Sequence, residues 1–387
     1  MGSGAFLLAA LLAADLSARL DAGMETGAHA GTRPVGNLDS GTSHTLELDP
    51  SLAAVLASRG LDLQTRYAPR LFLGDAITGQ LVGVRHSADL AGSWRQSPVL
   101  DWKLSEQFRY GRNEFAWDPG ATRPFDFLES LLPVISDDLF TDTKLGFTLV
   151  PQRNLALNVS AGYVAYGGVS AASQQLIPLQ HGPQLYAGLY QELSRTDRLS
   201  TELYGSHAVA TGNRLSSLMK LSESWQRQLA TATRASLTLG ASAYRKESPG
   251  EETSLGLFPV AGASLEHDVL ERTQRLELKA LAALGPRQNP LTADLVERAE
   301  LAISARWVLR DRLSIRGRAA AARELGPSSQ ATRLALGALD VGYRLRPDIS
   351  FSAGAEAIWQ QVPSQESVPV LRWIAFTALS FTARSIL

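Results

Sequence analysis

One pattern repeats from about residue 60 to the end of the chain: roughly ten residues of alternating apolar and polar side chains, a turn, then another such stretch. Leu155, Leu157, Val159, Ala161 and Tyr163 alternate with Ala156, Asn158, Ser160 and Gly162. Ala299, Leu301, Ile303, Ala305 and Trp307 alternate with Glu300, Ala302, Ser304 and Arg306. Leu313, Ile315, Gly317, Ala319 and Ala321 alternate with Ser314, Arg316, Arg318 and Ala320. A period of two places one set on each face of a strand. One face is aliphatic and aromatic; the other is small, polar or charged. Many such strands joined as hairpins predict an all-β fold, a single closed antiparallel transmembrane β-barrel.

Composition narrows the alternatives. With 387 residues, a net charge of -1 and 19% charged residues, the chain gives no general argument for nucleic-acid binding. It has no cysteine, which removes disulfides and cysteine-based metal sites. Beyond the N-terminus no apolar run reaches the length of about 18 residues that a spanning helix needs, so any crossing is made by strands. The run Gly4 to Ala14 has the length of a secretory signal, and residues 1–18 are read as one. Residues 19–58, rich in Gly, Thr, Ser, His and Asp, are read as a periplasmic lead-in, and 59–387 as the barrel.

Turns punctuate the strands. Short polar ones fall at 95–98, 151–154, 195–198, 226–228, 268–273, 310–312 and 346–348. Longer connections fall between them, at 74–84, 111–140, 166–182, 206–213, 245–253, 285–293, 324–330 and 361–368. Tight turns at one end and long loops at the other are the habit of an outer-membrane barrel. The punctuation gives about sixteen strands, with fourteen or eighteen as near misses, starting near Leu61 and ending near Phe381. Both chain ends then lie on the tight-turn side, which is read as the periplasm.

A cylinder of that width cannot be filled by side chains, so its interior is wet. The candidate lumen residues are Asp101, Lys103, Arg109, Glu277, Lys279, Arg306, Arg316, Arg318, Asp340 and Arg344. Opposed rows of arginines and acids set a transverse field on a polar solute; equally, they pair across strands to stabilise a wet wall. Trp94, Trp102, Tyr110, Tyr163, Trp225, Trp307, Tyr343, Trp359 and Trp373 suit interfacial girdles. Two residues resist the pattern. Glu106 falls on the apolar face, where a bulge near Ser105 could re-aim it, and Pro69 deletes a ladder donor inside a strand.

No catalytic constellation emerges, and an enzyme is not expected. His86, Ser87 and Asp89 are adjacent on one strand, which points neighbours to opposite faces. No dinucleotide, phosphate-loop or metal motif occurs, so no cofactor is expected. The longest connection, 111–140, carries an apolar second half with Phe125, Phe127, Leu128, Leu131 and Leu132. Such a segment needs a surface to bury against, which makes these five the candidate constriction, folded inward or laid over the rim.

Several segments resemble a family of outer-membrane barrels found with Wzx/Wzy-type polysaccharide export systems. They are Leu61 through Leu71, His86 through Pro98, Phe108–Gly111, Ala161–Tyr163 with Gly167-Gly168, and Leu185–Asp197. The last apolar strand, Trp373–Phe381, resembles the aromatic signal read by the barrel assembly machinery. The resemblance implies a conduit for a secreted polysaccharide in the lipid of the outer membrane. It also implies a periplasmic export protein as partner. A general diffusion porin for small polar solutes, or a structural or adhesive barrel with a plugged lumen, are the other readings.

Overall fold

A computed structural model describes residues 17–32, 42–73, 82–113, 136–250, 252–288, 295–325, 333–361 and 370–386. Nineteen strand segments succeed one another, opening with β1 (Ser17–Thr32), β2 (Thr42–Ser58), β3 (Leu61–Tyr67), β4 (Arg70–Leu73), β5 (Val82–Ser97) and β6 (Leu100–Asn113). Then come β7 (Ser136–Gln152), β8 (Leu155–Gly168), β9 (Gln180–Glu192), β10 (Asp197–Ala210), β11 (Arg214–Ala230) and β12 (Thr233–Glu247). The last seven are β13 (Ser254–Glu271), β14 (Gln274–Gln288), β15 (Leu295–Leu309), β16 (Leu313–Leu325), β17 (Arg333–Arg346), β18 (Ile349–Gln361) and β19 (Val370–Ile386). Consecutive strands pair antiparallel except β3 and β4, which each pair with β2 and β5, and β19 returns to β1 from Arg19↔Ile386 to Gly31↔Ile374. The sheet is closed.

β3 and β4 are two halves of one stave. Both pair with β2 and with β5, and the register is the same before and after the break: Tyr67↔Ala88, then Arg70↔Arg85. Pro69 has no N–H to donate, so the ladder lapses there. Ala68 holds the seam: its N–H donates to Ser87 O at 2.9 Å, and Ser87 Oγ donates to Ala68 O at 2.6 Å. No residue is bulged out. The barrel therefore has eighteen staves rather than about sixteen, an even number that lets the last strand close antiparallel on the first.

The two additional staves are β1 and β2, drawn from the stretch expected to be a lead-in. In β1 the outward positions are Leu20, Ala22, Met24, Thr26 and Ala28, three of them small, so the apolar contrast is weak. The expected signal segment lies outside the described residues except for Ser17 and Ala18, which belong to β1.

Eight short turns lie at one end, with Ser17 and Ile386. The other end carries the remaining connections, of which residues 114–135 are the longest. Two expectations shift. The turn placed at 226–228 lies inside β11, and the chain turns at Thr231-Ala232 instead. The connection placed at 206–213 shrinks to Thr211–Asn213, where Asn213 takes a left-handed φ of 57°. Between β8 and β9 sits a short helix, α1 (Ala171–Leu176), capped by Ser170, whose side chain accepts from Ser173 N–H. Gly167 and Gly168 let this segment lie down on the strand. Gly167 has φ 135°, and a Cβ there would meet Pro178 O at 2.4 Å. Gly167→Ala is expected to cost about 2 kcal/mol through strain and overlap. A lowered urea midpoint of the refolded barrel checks it.

The outer face is a lipid face. Leu145, Leu221, Ile303 and Leu339 are 54–57% exposed in mid-strand. They share that face with Leu104, Leu203, Ala280 and Ala355 opposite them in the ladder, a continuous apolar belt larger than a soluble protein leaves bare. Aromatic residues edge the belt. Trp94, Trp102, Trp225, Trp307 and Tyr343 lie toward the short turns, and Tyr110, Tyr163, Trp359 and Trp373 toward the long connections. On β6, Trp102 and Tyr110 are separated by about 26 Å of strand. Tilt shortens that to the apolar height of an outer-membrane barrel, roughly 25 Å or less.

Glu106 does point outward into this belt: register with β5 and β7 is unbroken from Arg85↔Gly111 to Ser93↔Lys103, so no bulge re-aims it. Its carboxylate is solvated from within the sheet. Thr141 Oγ1 donates to one oxygen at 2.7 Å and Thr143 Oγ1 to the other. Glu106→Leu is expected to raise stability by about 1 kcal/mol. Valine at both threonines, with Glu106 kept, should lower it by about 2 kcal/mol by stripping the carboxylate of its donors. Urea unfolding followed by heat-modifiable gel mobility reads both.

Candidate functional site: the lumen wall

All ten candidate lumen residues share the face opposite the apolar belt. On β6, Asp101, Lys103 and Arg109 alternate with outward Trp102, Leu104 and Phe108. Four others form one row across four strands, because the register sets Glu277 opposite Arg306, Arg306 opposite Arg316 and Arg316 opposite Asp340. Arg318 and Arg344 flank the row on the same face, as does Lys279.

Glu277, Lys279, Arg306 and Arg318 are engaged in ion pairs. Arg275 Nε lies 3.0 Å from Glu277, Arg306 Nη1 3.9 Å from it, and Lys279 Nζ 3.4 Å from Glu266. Arg318 reaches across β17 to Glu356 at 3.4 Å, with both side chains buried. Where the wall's charges pair across strands in this way, the pairs stiffen it and shorten the reach of the local field.

Three features of the inner face escaped the sequence reading. At the long-connection end, Glu300 is buried between Arg298, whose Nε donates to it at 2.5 Å, and Arg287, whose Nη2 lies 3.3 Å away. On β2, Glu47 and Asp49 face Arg70, with Arg70 Nε 2.9 Å from Asp49. The alternation of Leu46 and Leu48 with Glu47 and Asp49 was the available signal. The third is apolar: Ala302, Ala320, Ala322, Leu334, Leu336 and Ile358 form a buried cluster on the inner face of β15–β18. Phe376 of β19, 4% exposed, lies beside it on the same face, across Gly354. On this side the inner wall is closed to solvent.

The histidine cluster separates as strand geometry requires. His86 points outward, its Nδ1 bonded to Tyr67 OH at 2.7 Å and its ring stacked between Tyr67 and Tyr110, whereas Ser87 points inward. The constriction candidates Phe125, Phe127, Leu128, Leu131 and Leu132 lie outside the described residues.

Residues 141–387 match the family described as the EpsX exopolysaccharide export family. The chain belongs to that family. A search of the curated proteins finds no match. Among solved structures, the chain is similar to Pseudomonas aeruginosa OccK9 (OpdG), at 12% identity and TM-score 0.51 over 95% of this chain and 99% of that one. It is similar to Acinetobacter baumannii OccAB4, at 7% identity and TM-score 0.51 over 95% and 98%. It is also similar to Pseudomonas aeruginosa OpdK, solved with vanillate, at 11% identity and TM-score 0.50 over 95% and 99%. At such identities the likeness is one of fold. The EpsX-family chain has a porin-like barrel.

Proposed function

We propose that the chain is an outer-membrane conduit for a secreted polysaccharide, with both described chain ends on the periplasmic side. A periplasmic export protein that lacks a membrane span of its own is its partner. Membership of an exopolysaccharide export family carries this reading. The closed eighteen-stave barrel with a hydrophilic inner wall supports it, and so does the placement of Ser17 and Ile386 beside the short turns. The lumen side chains named above line the passage in this proposal, and none is given a catalytic step.

Deleting the gene should abolish surface polysaccharide while its cytoplasmic synthesis continues. Normal surface polysaccharide in the deletion strain would end the proposal. For the orientation, a cysteine at Asn154, in a short turn, should resist an impermeant thiol reagent in intact cells. One at Gly250, in a long connection, should react; the opposite pattern reverses the assignment.

A small-solute porin is the second reading, favoured by the fold of OccK9, OccAB4 and OpdK. Single-channel recording separates the two. The solvent-inaccessible inner side chains of β15–β19 lead us to expect low conductance from the pure protein, and a steady large conductance would favour the porin.

A further inference from the structure

The inner aromatic residues are not spread around the barrel. Among the described residues, every half-exposed inner ring lies on β7–β13: Phe140, Tyr166, Tyr186, Tyr190, Tyr204, Tyr244 and Phe258. The other two inner aromatics, Phe72 and Phe376, are buried. On a wet wall an exposed ring gains nothing from a core, so a one-sided ridge of rings needs another explanation.

The rings are held flat. Gly188 lies between Tyr186 and Tyr190 on the same face, and a Cβ there would sit 2.6 Å from Tyr186 Oη and 2.9 Å from Tyr190 Cε2. Tyr244 lies over Gly256, where a Cβ would come within 2.4 Å of its ring, and stacks on Phe258 with centroids 4.6 Å apart. Covering a strand glycine with a cross-strand ring is a common structural device, and one such pair would call for nothing more. Here the phenol ends are also tied down: Tyr186 and Tyr190 share a hydrogen bond, and Tyr190 donates to Glu202 at 3.2 Å. Tyr204, directly opposite Tyr186, has Lys220 Nζ 5.9 Å from its centroid. Tyr190 is near a short turn and Tyr244 near a long connection, so the ridge climbs from one end of the lumen to the other.

We infer that this ridge is a stacking track for the pyranose rings of a glycan in transit. It rests on the proposed conduit function and names where that glycan touches the wall. The C–H face of a pyranose is apolar and weakly positive, and it complements the negative face of a flat aromatic ring. Cross-strand hydroxyl pairs beside the ridge, Ser224–Thr238 and Ser236–Ser264 at 2.7 Å, present polar groups to the sugar edge. Several weak, repeated contacts suit passage, because a chain must leave each site as readily as it enters.

The test is saturation-transfer NMR on the full-length protein in detergent micelles. The probes are maltohexaose and hexasaccharides cut from the host's own polysaccharide, with poly(ethylene glycol) of equal length as control. Transfer to pyranose ring protons, and none to the polyether, is expected for at least one sugar probe. Tyr186→Ala with Tyr204→Ala should weaken binding about tenfold, whereas the paired Phe variants should retain it. Heat-modifiable mobility confirms that each variant folds. A second pair, Tyr244→Leu with Phe258→Leu, repeats the test if the first fails to assemble. Absence of transfer to both sugars, or unchanged binding in a folded ring-less variant, overturns the track. If the deletion strain exports normally but sugar binding still depends on the rings, the track stands and the conduit proposal falls.

Discussion

Replacing Glu300 with leucine is expected to destabilise the barrel by about 3–5 kcal/mol. The Glu300 side chain is 1% exposed, and it holds apart two guanidiniums: Arg298, itself buried, and Arg287. Taking the carboxylate away strips the buried Arg298 guanidinium of its counter-charge, whereas the half-exposed Arg287 stays in reach of water, and a desolvated charge without a partner is expensive. The double variant Arg298→Leu with Glu300→Leu should recover most of the loss, since an apolar pair of similar volume replaces a buried ion pair at little net cost. A double-mutant cycle on urea midpoints gives the coupling directly. A loss below about 1 kcal/mol for Glu300→Leu would mean that water reaches the site in the folded barrel.

Period-two alternation was strong enough to give the fold class and the face of every charged candidate, because each strand from β5 onward sets Leu, Ile or Val against polar partners. It undercounted the staves for a physical reason. A lipid-facing position tolerates Ala and Thr as well as Leu, and β1 sets Ala22, Thr26 and Ala28 beside Leu20 and Met24 on its outer face, so the contrast that marks a strand is weak in the first stave. Pro69 was legible as a missing donor, but its local consequence depended on the Ser87 hydroxyl from the next strand, which no single-strand pattern contains. Glu106 was legible as an anomaly, and its threonine donors were not, because they come from residues 35 and 37 positions away. The charged lumen candidates showed as types. That Glu277, Arg306, Arg316 and Asp340 form one row follows from register, which the turn positions fixed only to within a residue or two. The aromatic ridge was hidden for the same reason: its members are spread over β7–β13, and only the register of those strands brings them to one wall.

The largest effect is expected at the closing seam. The chain has no cysteine, so a designed pair reports without background. Thr26 lies opposite Leu379 across the β1–β19 ladder, both facing outward. Thr26→Cys with Leu379→Cys should oxidise to an intramolecular disulfide and close a covalent ring around nearly the whole barrel. Directly opposed positions of an antiparallel ladder hold their Cβ atoms about 4.5–5.5 Å apart, at the edge of the range a disulfide spans. A loop this long should raise stability by roughly 5 kcal/mol in the chain-entropy account, lost again on reduction. The outcome also decides between architectures. In a sixteen-stave barrel, β3 would meet β19 and residue 26 would sit in a periplasmic lead-in, remote from residue 379. No cross-link would form, and deletion of residues 17–58 would leave an assembled barrel. With eighteen staves the same deletion removes two ladders and the native seam, and the folded, heat-modifiable species should disappear. Removing β1 alone should be as damaging, since seventeen staves leave the closing pair parallel, against the antiparallel ladder that every other stave makes.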